Sequence, residues 1–209
     1  MSAIKFNKLC IKTNTFTTIL RNNKSEKNNI SKWLDKKYDN VLILSSIPKD
    51  NNYIDDIKKF NNNDVKLMNL MKKTGVTNLL DYSFNTLSIG EKQLLQIIYA
   101  LISNYDYIII EDALSKISSL NKEYILKYLK YIKNKTIINI TTNKEDIIYS
   151  NMTILVSDNI ILNDKTMNII NDEKSFKIAG FKLPFMALLS LKLKYYNLID
   201  KTITDMNKM

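Results

Sequence analysis

Asn85-Thr86-Leu87-Ser88-Ile89-Gly90-Glu91-Lys92-Gln93 and the segment after it decide how the rest of the chain is read. A polar turn runs into Leu87-Ser88-Ile89-Gly90, and Leu94, Leu95, Ile97, Ile98, Leu101 and Ile102 then recur at helical spacing. Ser88 and Gly90 are therefore expected at a helix N-terminus. Such a terminus offers free backbone N–H groups, the positive end of the helix dipole, a hydroxyl and a residue without Cβ. Phosphate oxygens are well received there. The plainer alternative is an ordinary Ser-capped helix.

Downstream, Asn104-Tyr105-Asp106 ends the helix, and Tyr107-Ile108-Ile109-Ile110 reads as a buried parallel strand. It finishes in Glu111-Asp112, two acids at a strand tip, a hard-oxygen arrangement suited to magnesium and phosphate. Together these segments resemble the signature and Walker B motifs of ATP-binding-cassette ATPases. The signature is LSIGEKQ here where the family usually has LSGGQ, and the Walker B is IIIEDALSKIS where the family has four apolar residues, Asp-Glu, Pro and a later Leu-Asp. The resemblance implies an α/β fold of P-loop NTPase type: a parallel sheet flanked by helices, with a helical subdomain and a truncated antiparallel β-subdomain.

Earlier in the chain, strand material from Ile4 to Leu20 precedes a polar loop and a short helix through Ile30, Trp33 and Leu34. Strand, loop and helix are the context of a phosphate-binding P-loop. Laid on G-x-x-G-x-G-K-[ST], Arg21, Lys24 and Glu26 fall on the three glycines, Lys27 on the lysine, and Asn28 on the magnesium-binding hydroxyl. Non-glycine residues held left-handed cost about 1–2 kcal/mol each, and Glu26 sets an anion where phosphate would lie. A solvated loop lysine is the alternative reading of Lys27.

Val41-Leu42-Ile43-Leu44 is expected as a second buried strand, after which Ser46 stands where the family's Q-loop has Gln. Asp50 to Thr74 is expected as helices, with Gly75 as a C-cap. Asn121 is expected to open a helix with Ile125, Tyr128, Leu129 and Ile132 on one face, and Thr136 to Ile140 to form the next strand. Thr142 replaces the family's switch histidine, and a hairpin follows over Asp158-Asn159. The interval between Lys27 and Ser46 is too short for the antiparallel strands that usually follow a P-loop helix. The tail, Pro184-Phe185 and then Leu188, Leu191, Leu193 and Leu198, resembles the C-terminal extension of energy-coupling-factor transporter ATPases. The resemblance implies a nucleotide-binding domain at 1–170, its helical subdomain at about 50–105, and a helical extension at 171–209.

The chain has 209 residues and a net charge of +10, a basicity compatible with nucleic acid or an anionic membrane surface. Abundant Lys, Asn, Ile and Tyr beside a single arginine point instead to an AT-rich genome, and no specific nucleic-acid partner is expected. One cysteine, Cys10, excludes an internal disulfide, and the absence of histidine excludes imidazole chemistry. With no signal peptide and no run of eighteen apolar residues, the expected location is cytoplasmic, peripheral at the cytoplasmic face of the cell membrane.

In this family, two cassettes sandwich ATP head to tail, and each site takes its signature from the other chain. Here the elements that a chain contributes to its own site are altered: the glycine positions, Asn28, Ser46, the inverted Glu111-Asp112 and Thr142. Ser88 and Gly90, lent to a partner, are present, although Ile89 and Glu91 depart from the motif. The resemblance implies nucleotide contacts at Lys27, Ser88, Gly90 and Glu91, magnesium at Glu111 one methylene farther out, and Asp112 as a shortened catalytic acid. The implied cofactors are ATP and magnesium, held mainly through a partner cassette, and the implied partners are a second ATPase subunit and a transmembrane subunit. Three functions remain open: a degenerate subunit completing a partner's site, a slow ATPase, or a non-catalytic scaffold or nucleic-acid-binding relic.

Overall fold

The computed structural model describes residues 11–22, 27–48, 52–60, 64–157 and 160–200. Lys24, Glu26 and the Asp158-Asn159 turn lie outside the described residues, as does the start of the expected first strand.

Six strands form one sheet in the order β2-β3-β4-β1-β5-β6. They are β1 (Phe16–Arg21), β2 (Val41–Leu44), β3 (Tyr107–Glu111), β4 (Thr136–Thr141), β5 (Met152–Ser157) and β6 (Ile160–Lys165). Neighbours from β2 through β5 run parallel, and β5 pairs with β6 antiparallel. Every residue of β1 and β4 is buried. Both strands sit mid-sheet with helices on both faces, which is why their apolar residues run on rather than alternate with polar ones. Contrary to expectation, β2 is not a buried strand: it forms the sheet edge and Ile43 is 37% exposed. Its apolar run is that of an inner strand, but among the described residues only β3 pairs with it.

The strand side chains divide by parity. Phe16, Ile108, Ile110 and Ile137 pack on one face against α5 (Ile89–Ile102) and α6 (Ser119–Leu129). The same core takes in α2 (Tyr53–Lys59), α3 (Val65–Thr74) and Val76 of the short α4 (Val76–Leu79). Gly75 ends α3 at φ 75° and its N–H bonds the Met71 and Lys72 carbonyls, the left-handed C-cap expected. Ile19, Ile109, Ile138 and Ile140 face the other way, against Ile30 and Leu34 of α1 (Lys27–Lys37). Ile30 and Leu34 stand one turn apart and are fully buried. Burying one such aliphatic side chain contributes about 1.5–3 kcal/mol.

The expected helix at Asn121 begins earlier, because Ser118 Oγ accepts the Asn121 N–H and caps it. After β6 the chain forms α7 (Thr166–Asn171), α8 (Glu173–Ile178) and, in the tail, α9 (Phe185–Tyr195). Phe176, Ala179, Leu183 and Ala187 pack with Leu20 and Leu155 of the sheet. The Glu145 carboxylate accepts the Phe185 N–H at the start of α9, and Lys144 Nζ donates to the Leu183 carbonyl at 2.7 Å. The tail is thus fastened to the loop after β4.

Candidate functional site

Parallel sheets of this kind bind ligands beyond the C-terminal ends of their strands. A cavity of about 620 Å³ lies there, with Ser46, Asp112, Lys122, Asn139, Thr142 and Asp146 in its wall. Ser46 follows β2, Asp112 follows β3, and Thr142 follows β4, so the folded chain gathers the three sequence-expected positions around one space.

Glu111 is the last residue of β3 and is buried, 7% exposed. Asp112 adopts φ 51°, a left-handed conformation that Asp tolerates better than most residues. Its N–H donates to the Ile140 carbonyl at 3.1 Å, which turns the residue back across the end of β4. Its carboxylate Oδ2 then meets Arg21 Nη2 at 2.9 Å. The Arg21 side chain is fully buried and that of Asp112 is 15% exposed. Arg21 is the first-glycine position of the P-loop register, and sequence reading gave it no role beyond a lost glycine. The described part of the next P-loop residue, Asn22, bonds the tail: its Nδ2 donates to the Ala179 carbonyl. Lys27 and Asn28 open α1.

A second ion pair closes the same cavity. Lys122 Nζ of α6 lies 2.6 Å from Asp146 Oδ1, and Thr141 Oγ1 donates to Asp146 Oδ2 at 3.1 Å. Burial still pushes the Asp146 carboxyl above the usual carboxylate range; Lys122 and the hydrogen bonds oppose that shift without cancelling it. Neither residue carried a signal in the sequence, since a lysine on an amphipathic helix and an acid in a loop are both commonplace.

The signature segment stands at the N-terminus of α5. Ser88 is the N-cap, and its Oγ and N–H both donate to Glu91 Oε2, at 2.6 and 2.8 Å, while the Glu91 N–H donates to Ser88 Oγ at 3.3 Å. This capping box sets a carboxylate at the helix N-terminus. The two bonds from Ser88 hold the Glu91 carboxyl below its usual range. Ser88 and Ile89 are exposed. Gly90 has an intrachain reason for lacking a side chain: a Cβ there would lie 2.5 Å from the Lys116 carbonyl oxygen. Gln93, fully buried, clamps both neighbouring loops. Its Nε2 donates to the Ser46 carbonyl at 2.8 Å and its Oε1 accepts the Lys116 N–H at 2.9 Å. Gln96 does the same for the Ser45 carbonyl at 2.7 Å. Two glutamines on the apolar face of α5 were the visible trace of this clamp.

At the end of β3 a guanidinium already stands against Asp112, so that carboxylate does not fit as a free magnesium ligand. Among the described residues no group of three His, Cys, Asp or Glu is placed to hold a metal without further ligands.

No protein-family model matches the chain. It is 26% identical over 162 residues to the energy-coupling factor transporter ATP-binding protein EcfA1 of Mycoplasma mobile, spanning 75% of this chain and 59% of that protein. With the energy-coupling factor transporter ATP-binding protein EcfA of Malacoplasma penetrans it shares 29% identity over 126 residues, 58% of this chain and 44% of the relative. The chain thus spans about half of each relative's length. Among solved structures, an inward-facing ABC transporter assigned to the metal-chelate type superposes with a TM-score of 0.61 at 17% identity, over 79% of this chain and 78% of that one. A bacterial Atm1-family ABC exporter with ATP bound superposes with a TM-score of 0.63 at 13% identity, over 81% of this chain and 37% of the exporter. At these identities the structural likeness establishes the fold.

Proposed function

From a chain with the fold of the ATP-binding-cassette ATPases, similar in sequence to energy-coupling-factor ATP-binding subunits, we propose a transporter subunit that does little hydrolysis of its own and completes a partner cassette's ATP site. Proteins of this fold bind ATP with magnesium. In this reading both are held mainly by the partner, against the exposed Ser88 end of α5. The observation that carries it is the contrast between the two ends of the site. The chain's own carboxylate at the end of β3 is committed to Arg21, while the Ser88 end of α5 faces solvent.

Glu91 sets a condition on this role. Its carboxylate occupies the N-terminus of α5, so an incoming γ-phosphate displaces it, and Ser88 exchanges one anionic acceptor for another. The bonds formed are charge-assisted, worth about 1.5–3 kcal/mol each when buried. The other members of the assembly are a second ATPase subunit, forming a heterodimer, and a transmembrane subunit at the cytoplasmic face of a membrane. Among the described residues no helix is long and apolar enough to cross a membrane. The slow-ATPase reading keeps one observation in its favour: a cavity of about 620 Å³ stays open beside Asp112. ATP turnover by the chain with an intact cassette, compared with each alone, tests the proposal. Turnover that appears only in the mixture supports it, and turnover by the isolated chain at the rate of the mixture overturns it.

A further inference from the structure

We propose that Arg21 is the resident cation of this site: its guanidinium stands in for a divalent metal beside the acids at the end of β3, so that the chain holds its acidic strand tip without magnesium. The inference rests on the reading of the chain as a cassette whose own site is altered, and it adds what replaced the lost chemistry.

Four observations converge on it. Arg21 Nη2 meets Asp112 Oδ2 at 2.9 Å with the arginine side chain fully buried. A cation withdrawn from water is costly unless it is paired, so it is held there by a committed partner. The pair spans the sheet: β4 lies between β1 and β3, and only a long side chain from the end of β1 reaches the residue after β3. Asp112 is turned toward it by a left-handed backbone. Finally, the chain has 31 basic residues and only one of them is arginine. Among the described residues, that one arginine is the basic side chain whose burial is complete. The chemistry explains the choice. A buried lysine sheds its proton readily, whereas a guanidinium stays charged and presents a planar fork to a carboxylate. A permanent cation cannot dissociate as a metal does, so the Asp112 carboxylate keeps its counter-charge at every magnesium concentration.

The test uses the full chain alone, with manganese and magnesium as probes and neither nucleotide nor partner. For the unaltered chain, the thermal midpoint is expected to be the same in millimolar magnesium and in chelator, and manganese binding by paramagnetic resonance to be weak. Arg21→Met keeps the bulk and removes the charge. It is expected to lower the midpoint by several degrees, to regain part of that loss when either metal is added, and to bind manganese at least about tenfold more tightly. Adding Asp112→Asn to that variant is expected to abolish the metal response and to restore part of the midpoint, because no uncompensated charge is left. If Arg21→Met alone does not fold, the double variant still decides: it folds if the pair is the unit, and its failure to fold overturns the proposal. Equal manganese affinity in the unaltered chain and in Arg21→Met also overturns it. These outcomes are independent of partner-dependent turnover, so the role in a partner's site stands or falls by a separate measurement.

Discussion

The strand-tip edge of the sheet and the N-terminus of α5 are both places where an ATP-binding cassette meets phosphate, and they are built in opposite ways. At the strand tips the charges are answered from within: Arg21 meets Asp112 and Lys122 meets Asp146, with Arg21 and Asp146 buried and their partners only 15% and 16% exposed. At α5 the groups face outward, and what satisfies Ser88 is a flexible carboxylate three residues on, itself half-exposed. Buried pairs between different elements are expensive to break. A local capping box is cheap to open. On the proposed reading, this difference is how one chain would lose a site of its own and still present an element to another.

The comparison breaks most visibly at Lys122. Lys122→Met leaves Asp146 buried without its cation, and removal of one partner from such a pair costs about 3–5 kcal/mol, read as a shift in the urea unfolding midpoint. The pH dependence has a defined sign. The folded-state Asp146 carboxyl is raised above its unfolded value, so the folded form binds the proton more tightly. Stability therefore increases as pH falls through that raised value toward the ordinary one near ~4. The deficit of Lys122→Met is expected to shrink over the same window. A deficit that is constant with pH would mean that Asp146 is not the group left uncompensated.

At the outward-facing end, Ser88→Arg places a bulky cation at the helix cap. Turnover of a reconstituted complex is expected to fall roughly 10- to 100-fold, the equivalent of one or more lost charge-assisted bonds. Lys27→Ala, in the chain's own P-loop register, is expected to leave it nearly unchanged. Loss of turnover with Lys27→Ala and not with Ser88→Arg would reverse the assignment.

A smaller effect sharpens the role of Gly90. Gly90→Ala drives a Cβ to 2.5 Å from the Lys116 carbonyl, so the loop after β3 must give way. A loss of about 1–3 kcal/mol is expected, seen in the isolated chain by denaturant titration. An unaffected isolated chain with a slowed complex would place the glycine's importance at the partner instead.

The smallest change is at Glu91. Glu91→Gln keeps the capping geometry and removes the anion from the helix N-terminus. The isolated chain is expected to lose at most about 0.5–1 kcal/mol, while the complex turns over as fast or faster because phosphate no longer meets a carboxylate. For the unaltered chain, the capping carboxyl is lowered on folding. Its contribution is present above the unfolded carboxylate value, near ~4.3, and is lost as pH falls through the folded one.

Much of the architecture was legible in single segments. The run Tyr107–Ile110 announced a parallel strand with both faces covered, the spacing from Leu94 to Ile102 announced α5, and Gly75 announced a helix end. Each of these follows from short-range rules, the alternation of a strand, the turn of a helix or the left-handed freedom of glycine. The same rules placed Ser88 at a cap and Glu111-Asp112 at a strand tip. They misjudged β2, because whether an apolar strand lies inside a sheet or at its edge depends on which strands come to flank it.

The pairings of the site had no short-range trace. Arg21 and Asp112 are 91 residues apart, and Gln93 reaches loops 47 and 23 residues away. What joins Arg21 to Asp112 is the insertion of β4 between β1 and β3. That sets the two strand ends about 9–10 Å apart across two strand spacings, within reach of one extended arginine. The residue type at position 21 was plain in the sequence; its partner was not. A charge withdrawn from water must be answered by whichever group the topology brings within hydrogen-bond distance, and only the assembled sheet determines that group.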